Sequence, residues 1–249
     1  MDPEPTDDVS VSTFTAAGCT LVAETQGHGE TVFLLVHGIG MGRTVFAHAV
    51  KLLRRHGRVI AIDLPGYGEA PEPARTPAIE RLADLVAAFI VERAPGRVVL
   101  VGHSMGSQVA IEVAARHPAT VARLVLAAPT VDARARRALP QMWRLLRDLT
   151  DEHPKVILAG AREYLRAGPW LRRKFRAMLA HAPEDSLDRV RVPVLVLRGE
   201  EDPVSPRAWC RFVADSLPDG RLEEIPDRGH ETMIRDAAPA VARILLFAA

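Results

Sequence analysis

Five short runs of consecutive apolar, largely β-branched residues punctuate the chain: 31–36 (TVFLLV), 58–62 (RVIAI), 97–101 (RVVLV), 121–127 (VARLVLA) and 194–197 (VLVL). No polar alternation divides them into two faces, which predicts strands buried on both sides. Between them, 45–55, 77–93 and 105–117 carry apolar residues at helical spacing. Strand alternating with helix predicts an α/β fold, a mostly parallel sheet with helices on both faces. Ahead of these runs, 9–15 and 20–25 read as two strands around Ala17-Gly18, an antiparallel hairpin at one sheet edge. Residues 1–8 read as a frayed end. Beyond the last run come a helix at 205–217, the turn Pro218-Asp219-Gly220, a strand at 221–225 and a closing helix at 239–247.

One stretch departs from the alternation. From 131 to 188 no strand pattern appears, only Arg-rich helical sequence at 142–149, 156–167 and 170–181, broken at His153-Pro154 and Ala182-Pro183. It reads as a helical cap, or lid, inserted into a core made of 1–130 and 189–249. Residues 131–180 hold 12 Lys and Arg against 5 Asp and Glu, a net +7 that leaves −6 elsewhere. Neither an internal repeat nor a low-complexity tract is present.

Composition narrows the class of function. A length of 249 residues suits one domain of this architecture. With 32 basic and 31 acidic side chains the net charge is +1, so no global electrostatic case exists for nucleic acid or an anionic membrane. Cys19 and Cys210 are too few and too far apart for a disulfide framework or a zinc site. The start Met1-Asp2-Pro3-Glu4-Pro5 lacks the basic and apolar regions of a secretory signal, and no run is long enough to span a membrane. These features predict a soluble cytoplasmic protein, with a monomer or homodimer expected. His28, His48, His56, His117, His153 and His181 are scattered without metal-ligand spacing, so neither metal nor cofactor is expected.

Chemistry concentrates after the strands. The run 97–101 leads straight into Gly102-His103-Ser104-Met105-Gly106, a G-x-S-x-G pattern between a predicted strand and a predicted helix. Such a turn is strained and throws the serine hydroxyl above the sheet edge, and the flanking glycines permit the tight approach it requires. A serine hydroxyl is a poor nucleophile near neutral pH, so it needs a base, and the base needs an orienting acid. Downstream, Arg198-Gly199-Glu200-Glu201-Asp202-Pro203 and Arg228-Gly229-His230 each follow a strand, and parallel strands bring their C-terminal ends to one edge.

With Val36-His37-Gly38-Ile39-Gly40 and Asp63-Leu64-Pro65-Gly66-Tyr67-Gly68, these motifs make nearly the whole chain resemble the α/β-hydrolase superfamily. The resemblance implies Ser104 as nucleophile, His230 as base and Asp202 as acid, with the N–H groups of Ile39 and Met105 as oxyanion hole. Glu200, Glu201 and Asp132 are rival acids, and Asp227 shares the loop of His230. His37 reads as a support for the oxyanion loop, and His103 as the variable position of the serine turn. Two features depart from the family: Ser107 stands where many relatives have glycine, and Glu231-Thr232 replace small or apolar residues after the histidine.

Serine rather than a carboxylate at position 104 disfavours dehalogenase and epoxide-hydrolase chemistry. What remains, on the resemblance, is acyl transfer from a small-molecule ester, thioester or lactone through an acyl-enzyme. Cofactor-free perhydrolases and C–C bond hydrolases share such a triad, and non-catalytic ligand-binding proteins share the scaffold. Gly38, Trp143, Leu146, Leu165 and Trp170 are candidates to line the substrate pocket. The Arg-rich cap either selects an anionic substrate or presents a solvated face, and Arg43, close behind the oxyanion segment, is a further candidate to meet an anion.

Overall fold

The computed structural model describes residues 9–133 and 168–249. The expected frayed end and most of the insertion, including Trp143, Leu146 and Leu165, lie outside the described residues.

The strands are β1 (Ser10–Ala16), β2 (Cys19–Gln26), β3 (Thr31–Val36), β4 (Arg58–Asp63), β5 (Arg97–His103), β6 (Arg123–Ala127), β7 (Val194–Gly199) and β8 (Gly220–Ile225). They form one sheet in the order β1-β2-β4-β3-β5-β6-β7-β8. β2 runs antiparallel to both β1 and β4, and all remaining pairs are parallel. Period-two alternation divides each central strand between two cores. Val32, Leu34 and Val36 of β3 and Val98 and Leu100 of β5 join one, whereas Phe33, Leu35, Val99 and Val101 join the other. Both faces are therefore apolar, which is why the sequence shows unbroken runs.

Six helices are described. α2 (Ile79–Arg93), α3 (Met105–Arg116) and α5 (Arg207–Asp215) cover the first face; α1 (Ala47–Leu53) and α6 (Ala238–Ala248) cover the second. α4 (Gly168–Ala180) belongs to the inserted segment, and a 3₁₀ stretch, Pro183–Arg189, returns the chain to β7. The helix expected at 45–55 is instead a 3₁₀ turn, Arg43–Phe46, followed by α1. The Arg43 N–H donates to the Asp63 carboxylate and the Val45 N–H to the Gly42 oxygen (3.2 Å), which tightens the first turn. The strand expected at 121–127 starts at Arg123, because a 3₁₀ turn, Pro118–Thr120, delivers the chain to the sheet.

α3 is buried from Met105 to Ala114. One side packs on the sheet, and the end of the insertion contacts the other. The Gln108 Nε2–H donates to the Met178 oxygen (3.1 Å), and Glu112 accepts from His181 Nε2 (3.0 Å) and from the Ser186 hydroxyl. The helix that begins at the serine turn is thus enclosed on both sides.

Candidate active site

Ser104 occupies a backbone conformation that side chains rarely adopt, φ 54° and ψ −120°, between β5 and α3. Strain of this kind costs of order 1–3 kcal/mol and persists only where its surroundings hold it. Here the Ser104 N–H donates to the Ala127 oxygen (2.9 Å), and the Ser107 N–H donates to the Ser104 oxygen (2.9 Å). Gly106 is required by proximity: a Cβ there would lie 2.2 Å from the Val36 oxygen, so any side chain would push α3 off β3. Ser107, the departure from the family pattern, is accommodated. It is fully buried, and its hydroxyl donates to the Gly102 oxygen (2.8 Å), adding a clasp across the turn.

Three residues from separate loops meet at this turn. His230 Nε2 lies 3.0 Å from Ser104 Oγ, and its Nδ1 lies 2.9 Å from Asp202 Oδ2. An ionised carboxylate only accepts, so Nδ1 carries the proton and Nε2 is left to accept from the serine hydroxyl. Asp202 is itself held, since its Oδ1 accepts the N–H groups of Val204 (2.8 Å) and Ser205 (2.9 Å). Burial alone would raise the Asp202 carboxyl. The facing His230 charge, its hydrogen bond and the two N–H donors outweigh that and hold the group below the ordinary carboxylate range. Glu200, Glu201 and Asp227 are exposed, whereas Asp202 is 2 % exposed. Asp132 is buried and borders a pocket of about 130 Å³ with Trp209 and Phe212.

Opposite the histidine, Gly38 approaches the nucleophile so closely that a Cβ would lie 3.0 Å from Ser104 Cβ. His37 pins this segment: its Nε2 accepts the Leu64 N–H (3.1 Å), so Nδ1 bears the proton and donates to the Gly38 oxygen (2.7 Å). Burial lowers its pKa to about 4, keeping the ring neutral in this double role. Ile39 follows in the same turn, and Met105, as the first residue of α3, has an N–H with no acceptor within the helix. Arg43 is a correction. Its guanidinium is buried and committed to Asp63, Glu69 (2.9 Å) and Glu24 (3.4 Å), so it ties β2, β4 and the 63–69 turn together and has no free face for an anion.

The described end of the insertion reaches this side of the site. From α4, Lys174 donates to the Gly66 oxygen and to Glu72 (2.6 Å), with its ammonium 4.4 Å from the centre of the Tyr67 ring. The Tyr67 hydroxyl in turn contacts Met105 Sδ (3.6 Å). Tyr67, Ile79, Leu82, Met105, Lys174 and Ala177 border a narrow cleft of about 10 Å³. Trp170, expected in the pocket roof, is 39 % exposed and stacks against the Arg173 guanidinium at 4.9 Å. Arg172, Arg173 and Arg176 are exposed. Thr232 is buried, while Glu231 is only half-buried. Among the described residues no cluster of metal-ligating side chains occurs, and no helix is long and apolar enough to cross a membrane.

His103 escaped the sequence reading. It is fully buried, its Nε2 lies 3.0 Å from the His230 main-chain oxygen, and its ring centre is 5.3 Å from that of His230. Only a partner 127 residues away gives it this role, and no local pattern carries such information.

Comparison with known proteins identifies the family. The model of a family described as the alpha/beta hydrolase family matches residues 33–244. Two curated relatives are named pimeloyl-[acyl-carrier protein] methyl ester esterase. The one from Nitrosomonas europaea is 29% identical over 83% of this chain and 91% of its own length. The one from Chromobacterium violaceum is 30% identical over 84% of this chain and 91% of its own. Among solved structures, a thermophilic esterase from Thermogutta terrifontis superposes with a TM-score of 0.76 at 27% identity, covering 96% of this chain and 97% of that one.

Proposed function

The chain belongs to the alpha/beta hydrolase family, and from that premise we propose that it is a serine esterase working through an acyl-enzyme on Ser104. The observation that carries this reading is the continuous relay from Ser104 Oγ through His230 to Asp202, at 3.0 and 2.9 Å, on a strained turn. Esterases among the relatives and solved neighbours support ester cleavage as the reaction class.

The chemistry follows from the tautomer. His230 Nε2 takes the proton as Ser104 Oγ attacks the ester carbonyl, and the Asp202 carboxylate stabilises the imidazolium that forms. The carbonyl oxygen becomes an oxyanion, for which the N–H groups of Ile39 and Met105 are the assigned donors. Collapse breaks the bond to the alkoxy oxygen, which leaves as an alcohol with the proton from His230. Water, deprotonated by the same nitrogen, then releases the acid and regenerates Ser104.

We assign residues 131–188 the role of a cap over the site, supported by the contacts of α4 with the 66–72 turn and its place beside Met105. Trp143, Leu146, Leu165 and Trp170 remain its proposed substrate-facing residues, and a small to medium, mostly apolar ester the proposed substrate. The names of these two curated relatives make methyl esters the first class to try. A panel of such esters with varied acyl length tests the reading. Turnover by the wild type that vanishes in Ser104→Ala is expected; a folded wild type that binds esters without cleaving any would favour a ligand-binding protein on this scaffold.

A further inference from the structure

His230 sits in the stretch between β8, which ends at Ile225, and α6, which begins at Ala238, and this stretch contains neither helix nor strand. Its imidazole is occupied on both nitrogens by the groups it must serve, Ser104 and Asp202. Besides these two bonds, ties on the surrounding main chain help to fix the ring's position. On the acid side, the Glu201 N–H donates to the Arg228 oxygen (2.9 Å). Toward α6, the Ala237 N–H donates to His48 Nδ1 (3.2 Å). On the nucleophile side the tie at His230 itself comes from His103, which closes β5 next to Ser104.

We propose that His103 is a positioning residue whose imidazole N–H grips the main-chain oxygen of His230 and fixes the general base over the serine hydroxyl. This role rests on the esterase reading above. A carbonyl oxygen only accepts, so Nε2 bears the proton and Nδ1, buried and without a hydrogen-bond partner, is bare. The His230 and His37 rings oppose a positive charge on this ring, whereas the hydrogen bond to the His230 main-chain oxygen and the Asp202 carboxylate favour one. Burial first and the His230 charge second lower its pKa to about 4. The donor is thus a neutral ring above about pH 4, and it adds no positive charge 5.3 Å from the imidazolium formed during catalysis. The same residue continues directly into the nucleophile, so a single rigid unit, the end of β5, sets both partners of the proton transfer. Misplacement of such a pair by about 1 Å costs on the order of 100-fold in rate.

Two substitutions separate the hydrogen bond from the bulk of the ring. His103→Phe keeps an aromatic ring and removes the donor, whereas His103→Gln keeps an N–H donor of similar reach. In His103→Phe, kcat is expected to fall about 10- to 100-fold with KM changed less than about threefold, and His103→Gln should recover most of the loss. A folded His103→Phe enzyme with kcat within about threefold of a wild type that cleaves esters would overturn the proposal and leave the esterase reading standing. A second measurement needs no turnover. In ¹H–¹⁵N spectra of the labelled protein, His103 should appear as the Nε2–H tautomer, and the His230 Nδ1–H resonance should shift or broaden in His103→Phe. An Nδ1–H tautomer at His103, or a His230 resonance indifferent to the substitution, would overturn it even if no ester substrate were found. A loss of folding in His103→Phe would leave the tautomer and the His103→Gln kinetics to decide.

Discussion

Ser104, His230 and Asp202 are hydrogen-bonded in series, and the proposed esterase mechanism has them act as a unit. Ser104→Ala and His230→Ala should each lower kcat by several orders of magnitude with the thermal midpoint little changed, and Asp202→Asn should lower it by about 10⁴ through loss of the correct His230 tautomer. Steady-state kinetics beside thermal melts checks this; most of the activity surviving any of the three would remove that residue from the relay. Two histidines outside the relay predict a pH dependence of stability. His37 and His103 are fully buried and titrate at about 4, against 6.5 in an unfolded chain. Unfolding then takes up protons below pH 6.5, so stability should fall as pH drops from about 6.5 to about 4, by up to about 3 kcal/mol for each ring, and level off beneath. Asp202, whose pKa is lowered, adds a loss that begins below its unfolded value of 3.8. Denaturant melts at about pH 7 and about pH 4.5 measure the difference, and equal stabilities would contradict the neutral, buried state of both rings.

The elements that carry these residues were legible where their signal is local. Strands buried on both faces show as unbroken apolar runs, and Ser104 and Asp202 each follow one, so the fold class and these two positions could be read together; His230 follows β8, a part-buried edge strand of mixed polarity, GRLEEI, whose own signal is weaker. Arg43 and His103 could not, because their roles depend on Asp63 and His230, 20 and 127 residues away, and sequence spacing says nothing of such pairs. The serine turn itself predicts two unequal outcomes. Gly106→Ala would drive a methyl group against the Val36 oxygen at 2.2 Å and should cost several kcal/mol or abolish folding. Ser107→Ala removes one clasp and leaves the Gly102 oxygen short of a partner, an expected loss of about 1–3 kcal/mol with kcat preserved. Thermal or chemical melts of the pair order them, and a milder effect at position 106 than at 107 would contradict the close packing of α3 on β3.

Across the whole molecule, the sheet gathers three distant loops at one edge, and the inserted segment returns against that same edge through α4. The segment's excess of Arg raises the question of an anionic substrate. Arg43 is already neutralised by carboxylates, and the arginines described in this segment, 172, 173 and 176, are solvent-facing. A neutral, apolar ester site is therefore the expectation: kcat/KM for a neutral ester should equal or exceed that for an anionic analogue of the same length, with little response to salt. A preference for the anion that fades with added salt would instead place cap arginines at the substrate. The central claim is that Ser104 is the nucleophile, and covalent labelling tests it most directly. Treated with a fluorophosphonate, the wild type should gain one adduct by intact mass, mapped by peptide analysis to Ser104 and absent in Ser104→Ala; a folded wild type that stays unmodified, or carries its adduct on another residue, would contradict the esterase reading.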